Sequence, residues 1–209
     1  SVPPFDRSRH PGPTVLFCGR HEERKGLRYL VEAVENLDTP IHVWIASDGP
    51  DTAELMQRTG GDARFEWLGR IPDEEKFARL RAADVFCAPS LGGESFGVVL
   101  IEARAAGTAV VASSIDGYQN VATHDRDAIL VPPGDPAALA EALHLVTTDD
   151  VLAGVRRACL YRSGVVTTDP DVDATVLLTT SAHASTPLAP LVVALTAGQG
   201  RVVVVADSD

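Results

Sequence analysis

Between residues 14 and 146 the sequence alternates short apolar runs with amphipathic stretches, and that alternation constrains the fold more than any other feature. Residues 14–19, 41–47, 64–68, 85–88, 109–112 and 128–131 read as strands. Residues 25–36, 52–59, 73–83, 96–106 and 135–146 carry helical spacing, with Leu27, Leu30, Val31 and Val34 forming one apolar stripe. Asp51, Asp73 and Asp135 stand where N-caps or first turns are expected, and Pro72 and Pro136 are neighbouring start signals. Repeated βα units of this length predict an α/β fold with a doubly wound parallel sheet and right-handed crossovers. Ligands of such sheets sit beyond the carboxyl ends of the strands, where strand order reverses. The loops after Gly19, Leu68 and Ala88 are therefore where chemistry is expected.

Composition agrees with that class. The chain of 209 residues is 45% hydrophobic and only 5% aromatic, which suits a sheet of small and β-branched residues covered by helices. A net charge of −11 argues against a general nucleic-acid surface and against this face clinging to anionic lipid. Cys18, Cys87 and Cys159 lack paired metal-ligand spacing and read as free thiols of a reducing cytoplasm. Residues 1–13 are polar and proline-rich, unlike a secretory signal, and no apolar stretch approaches the roughly 20 residues of a membrane helix.

Beyond Glu141 neither Glu nor Lys occurs again, which marks a boundary near 147–170. We read 13–150 as one domain, 151–173 as a linker, and 174–209 as an extra C-terminal β-α-β segment with strands at 174–181 and 201–206 and a helix at 187–197.

Two stretches carry the chemistry. In Phe17-Cys18-Gly19-Arg20-His21-Glu22-Glu23-Arg24-Lys25-Gly26, Gly19 would permit a tight turn at the strand end. Arg20 and Lys25 then lie near a helix N-terminus, where cations are unfavourable unless an anion joins them. A diphosphate accepting from both side chains and from backbone amides resolves that conflict. Solvated charges paired with Glu22 and Glu23 are the alternative use of the same residues. His21 is expected only to line the loop.

The second stretch is Leu91-Gly92-Gly93-Glu94-Ser95-Phe96-Gly97-Val98-Val99-Leu100-Ile101-Glu102. A helix starting close to Ser95 offers amides to a phosphate. Glu94 and Glu102 are eight positions apart, roughly 12 Å along a helix axis. Such a separation is too wide for two acids acting on one glycosidic bond. It suits a ligand with a ribose at one end and a hexose at the other. The alternative is an ordinary helix glutamate and an N-terminal charge.

The GRxxxxKG turn, GGESFGVVLIEARAAGTAVVAS and GDPAALAEAL, in that order, resemble the family-four retaining glycosyltransferases of GT-B architecture. LGGESFG looks like their phosphatidylinositol mannosyltransferase branch. The resemblance covers residues 13–150 and implies one Rossmann-like GT-B half. It implies Arg20 and Lys25 on the donor phosphates, Glu102 on the ribose and Glu94 on the transferred sugar. The amides of Phe96, Gly97 and Val98 would face the diphosphate, and Gly69, Arg70 and Ile71 the base. Arg20, Lys25 and Glu94 would be the catalytic set.

The implied donor is a GDP- or UDP-sugar, GDP-mannose above all, and the acceptor a lipid or glycan hydroxyl held by an acceptor domain that the family places before this one. Any magnesium would arrive with the donor, and no metal bound by protein carboxylates is expected in 13–150. The expected location is cytoplasmic, peripheral to the inner membrane face in the full enzyme, with no membrane contact through this half. The tail around Ser181-Ala182-His183 weakly resembles the opening unit of family-one glycosyltransferases, whose loop histidine serves as a base. Two rivals are a nucleotide-sugar-binding module without turnover and a dinucleotide-dependent oxidoreductase. The first turn lacks the G-x-G-x-x-G that the second requires.

Overall fold

The computed structural model describes residues 12–148, 191–197 and 200–206. Six strands form one sheet: β1 (Thr14–Cys18), β2 (His42–Ala46), β3 (Phe65–Gly69), β4 (Val85–Ala88), β5 (Ala109–Ser113) and β6 (Ile129–Val131). All pair in parallel, in the order β3-β2-β1-β4-β5-β6. The doubly wound sheet expected from the alternating pattern is therefore present. Its reversal point lies between β1 and β4, so the loops that leave these two neighbouring strands open side by side.

The helices are α1 (Leu27–Glu35), α2 (Thr52–Arg58), α3 (Asp73–Ala82), α4 (Val98–Ala105), the short α5 (Asp116–Gln119) and α6 (Pro136–Thr148). Period-two alternation along the strands supplies a core on each face. Leu16, Trp44, Phe86, Ala88, Val110 and Ala112 pack with Leu80, Leu100, Ala103 and Tyr118 from α3, α4 and α5. Val15, Phe17, Val43, Ile45 and Val85 alternate with these, and α1 packs against α6 with Leu27, Leu30, Val31, Val34, Leu139 and Leu143 buried. The apolar stripe expected on α1 is thus the buried one.

Helix starts follow the expected residues with two shifts. Asp135 Oδ1 accepts from the amides of Ala137 and Ala138, both at 3.0 Å, and so caps α6. The first helix was expected from Lys25, yet Glu23–Lys25 forms a separate 3₁₀ turn and α1 begins only after Gly26, at φ 73°. Likewise α4 begins at Val98 rather than Phe96, because Gly97 takes a left-handed conformation at φ 69° as its N-cap. Gly19, assigned the tight turn above, is not among the positive-φ residues.

The C-terminal expectation needs correction. Within the described residues, β7 (Leu191–Ala197) and β8 (Gly200–Ala206) form an antiparallel pair with Ala197 opposite Gly200, so 191–197 of the helix expected over 187–197 is strand instead. Both runs are rich in Val and Leu, and a short apolar run does not distinguish helix from strand by periodicity alone. Only Gly198 and Gln199 separate them in sequence, a spacing that favours a hairpin over a crossover. This pair belongs to a second compact unit, 149–209, separate from the unit 1–148 that carries the parallel sheet. Cys159, His183, the linker 151–173 and the strand expected at 174–181 lie outside the described residues.

Candidate functional site

The loops leaving β1 and β4 lock together. Leu91 N–H donates to the Arg24 carbonyl at 2.7 Å, and Gly26 lies so close to Pro89 that an added Cβ would sit 1.9 Å from its carbonyl oxygen. This contact carries the first stretch onto the second. Lys25 Nζ donates to Glu94 Oε1 at 2.5 Å, Arg24 Nη1 lies 3.5 Å from the same oxygen, and Ser90 Oγ donates to it at 3.3 Å. Arg24 also donates to the Gly93 carbonyl at 3.2 Å. Neither Arg24 nor Ser90 was singled out in the sequence.

The alternative of local ion pairing holds for one cation and fails for the other. Arg20, whose side chain is 65% exposed, pairs with Glu22 at 3.3 Å, and Glu22 also meets Arg24 at 2.7 Å. Lys25, only 20% exposed, turns from its sequence neighbours to Glu94. Lys25 and Glu94 are thus brought together, while Arg20 reaches over the exposed edge of the same loop.

Glu102 stands at the other end. Its Oε1 accepts from Lys76 Nζ at 2.9 Å, and Lys76 also lies 3.7 Å from Asp73 on its own helix. Burial works against the Lys76 charge, yet the bond and charge of Glu102, with Asp73, hold its pKa above the ordinary value. Cys18, at the end of β1, lies within the field of Lys76, Glu102 and Asp73, and burial pushes its thiol up. Each of the two carboxylates therefore has a lysine from a different element.

The start of α4 lies between the two carboxylates in the chain. Glu94 precedes this helix, so the eight-residue spacing is not a helical rise. Phe96 and Val98 are 56% and 57% exposed. Among the described residues the amides of Phe96, Gly97 and Val98 donate to no other protein group; Val98 opens α4, where first-turn amides have no intrahelical acceptor, and Phe96 and Gly97 precede it. Gly69 closes β3 with its carbonyl accepting from Ser47 N–H at 2.6 Å, and half-buried Ile71 packs on the core. Arg70, 79% exposed, pairs with Asp48 at 2.8 Å. No described contact joins this loop to Glu94 or Glu102.

His21 does not line the loop; it is fully buried. Its Nε2 donates to the Ala46 carbonyl at 3.3 Å, because a carbonyl can only accept, and Nδ1 at 2.8 Å then accepts from the Thr52 hydroxyl. Thr52 Oγ1 in turn accepts from Gly49 N–H at 2.8 Å. The ring joins the starts of two loops in its neutral form, and burial lowers its pKa below the ordinary 6.5. The unfolded chain binds this proton more readily, so its contribution to stability is complete above 6.5 and declines as pH falls below it. The decline is expected at no more than about 1.4 kcal/mol per pH unit. Urea midpoints at neutral and mildly acidic pH should diverge more for the natural chain than for His21→Gln. An identical divergence would assign the slope to other groups.

Among the described residues no group of three or more His, Cys, Asp or Glu is placed to hold a metal ion, and no helix is long and apolar enough to cross a membrane. Cys18 and Cys87 are free thiols.

The Glycosyl transferases group 1 family matches residues 12–149. Phosphatidyl-myo-inositol mannosyltransferase of Mycobacterium leprae (strain TN) is 44% identical over 146 residues, covering 68% of this chain and 39% of that protein. The protein of the same name from Mycolicibacterium smegmatis is 43% identical over 158 residues, covering 72% and 40%. Among solved structures, Anabaena Alr3699/HepE in complex with UDP and glucose has a TM-score of 0.64 at 22% identity, covering 74% of this chain and 45% of that one. The C-terminal domain of LpcC, a glycosyl transferase group 1 family protein from Francisella tularensis, has a TM-score of 0.62 at 21% identity, covering 73% and 85%. The parallel sheet is that of one half of a GT-B glycosyltransferase. This chain belongs to the Glycosyl transferases group 1 family and spans about two fifths of the length of the curated relatives it matches.

Proposed function

We propose that residues 13–150 are the donor-binding domain of a retaining glycosyltransferase that moves mannose from GDP-mannose to a lipid or glycan hydroxyl. The observation that carries this reading is the pairing of Glu94 with Lys25 and of Glu102 with Lys76, with the open start of α4 between them in the chain. Carboxylates suit sugar hydroxyls at both ends, and the helix start with Arg20 and Lys25 suits a diphosphate between. As the glycosidic bond lengthens, charge grows on the departing nucleoside diphosphate, and these fixed cations and amides stabilise it electrostatically. The loop Gly69-Arg70-Ile71 would meet the base, chiefly through its backbone.

Nucleotide-sugar as the donor class is supported by the UDP and glucose of HepE, and mannose by the names of the mycobacterial relatives. Retention of configuration rests on the motif resemblance. In the full enzyme we place this half on the cytoplasmic side, with acceptor and membrane met by the other half. A nucleotide-sugar-binding module without turnover of its own is the second reading.

Titrating GDP and GDP-mannose against two variants tests the donor placement. Glu102→Gln should weaken both ligands by roughly 1–2 kcal/mol, since the ribose is common to them. Glu94→Gln should weaken GDP-mannose alone. Free GDP should bind this variant at least as well as the natural chain, because Lys25 and Arg24 lose a carboxylate that competes for them. Equal losses for Glu94→Gln with both ligands, or none for Glu102→Gln with either, would overturn the placement.

A further inference from the structure

Ser90 and Tyr118 belong to none of the motifs, yet they support the Glu94 carboxylate. Ser90 is 2% exposed and lies two residues beyond the end of β4. Tyr118, 1% exposed, comes from α5, whose Gly117 approaches Glu94 so closely that a Cβ there would sit 1.9 Å from the Glu94 carbonyl oxygen. The Tyr118 hydroxyl and Ser90 Oγ are 2.9 Å apart. Ser90 has one hydroxyl proton and gives it to Glu94, so its oxygen accepts the Tyr118 proton. Burial pushes the Tyr118 phenol up to about 12, which keeps that proton in place at neutral pH. The chain of donation runs from Tyr118 through Ser90 to Glu94.

Among the described residues every polar contact of this carboxylate falls on Oε1. Oε2 makes no described contact and is not among the buried atoms that lack a partner. Two of the three groups on Oε1 are cations, Lys25 and Arg24, which an arriving diphosphate would draw away. The neutral Ser90 hydroxyl, itself held by Tyr118, is the anchor that stays.

We propose that Ser90 and Tyr118 are positioning residues that pin Oε1 of Glu94 when the donor binds, so that Oε2 meets the hydroxyls of the transferred sugar. This inference rests on the donor reading above and adds residues that set preference for a sugar-bearing donor over free nucleotide. Both act through Glu94 and neither touches the donor.

Tyr118→Phe keeps the buried ring and removes one hydroxyl. Titration of the 209-residue chain with GDP and with GDP-mannose should show unchanged GDP affinity and GDP-mannose weakened about three- to ten-fold. Ser90→Ala should give the same selective loss and serves as the second variant if Tyr118→Phe does not fold. In a Glu94→Ala background, removing the Tyr118 hydroxyl should have no further effect on GDP-mannose. Equal losses for both ligands, a loss that persists without the Glu94 carboxylate, or no loss in either variant would overturn the positioning role while leaving the donor reading intact. A natural chain that binds neither ligand would instead overturn the donor reading, and this proposal with it.

Discussion

Replacing Gly26 by Ala should destabilise the fold by about 3–5 kcal/mol. Two costs coincide at this position. Its φ of 73° lies in the left-handed region, which costs an L-residue roughly 1–2 kcal/mol. The new Cβ would also lie 1.9 Å from the Pro89 carbonyl oxygen and 2.7 Å from its carbon, so backbone rather than a flexible side chain must move. The strands beneath both loops are buried and paired, and the strain falls on the Arg24–Leu91 hydrogen bond that joins the loops. Gly19, the other glycine of the same turn, is the control. Its Cβ would find nothing nearer than 3.5 Å, so Gly19→Ala should change stability by less than about 1 kcal/mol. Urea denaturation of both variants makes the comparison. Similar midpoints would mean that the close approach relaxes and does not hold the loops together.

The second large effect is on binding. Lys25→Ala should weaken nucleoside diphosphate binding by roughly 1–3 kcal/mol, or about five- to 150-fold, because a charge-assisted bond to phosphate is lost. Lys25 is better placed for this than Arg20. It is 20% exposed against 65% for Arg20, so its charge is less screened and its side chain loses less freedom on binding. Arg20→Ala should therefore weaken binding in the same direction but less. Stability should change by less than about 1 kcal/mol in Lys25→Ala, since Arg24 and Ser90 still face Glu94. Calorimetric titration with GDP measures the first effect and thermal unfolding the second. Unchanged affinity in both variants would return these cations to surface ion pairs, which is already how Arg20 meets Glu22.

The candidate site was legible in its anions and less so in the groups that hold them. Glu94 and Glu102 stand out because glycines and a helix start surround them within a dozen residues. Lys76 gave no such signal, because it sits three positions after Asp73 and looks like half of an ordinary helical ion pair. Ser90 and Tyr118 are a serine in a loop and a tyrosine in a four-residue helix that no periodicity announces. His21 was misjudged because burial of a loop residue depends on what folds over it, here β2 and the start of α2.

The hairpin shows the same limit for secondary structure. Residues 191–197 can be helix or strand by composition, and pairing with 200–206 decides for strand, register by register. By contrast, the six strands and the long helices were readable locally, because short apolar runs and 3.6-residue apolar spacing are written within each segment.

The sequence by itself determined that the chain makes repeated βα units and which two carboxylates its motifs present, and it pointed to the loops after the first, third and fourth strands as the place for a ligand. Strand order was decided only in the tertiary structure. Placing β4 against β1 brings Lys25 to Glu94 across 69 residues, while the packing of helices on the sheet brings Lys76 to Glu102 across 26 and Tyr118 to Ser90 across 28. Hydrophobic periodicity tells a segment which face to bury but not which neighbour to choose. The pairs that set charge and proton position in the site follow from that choice of neighbours.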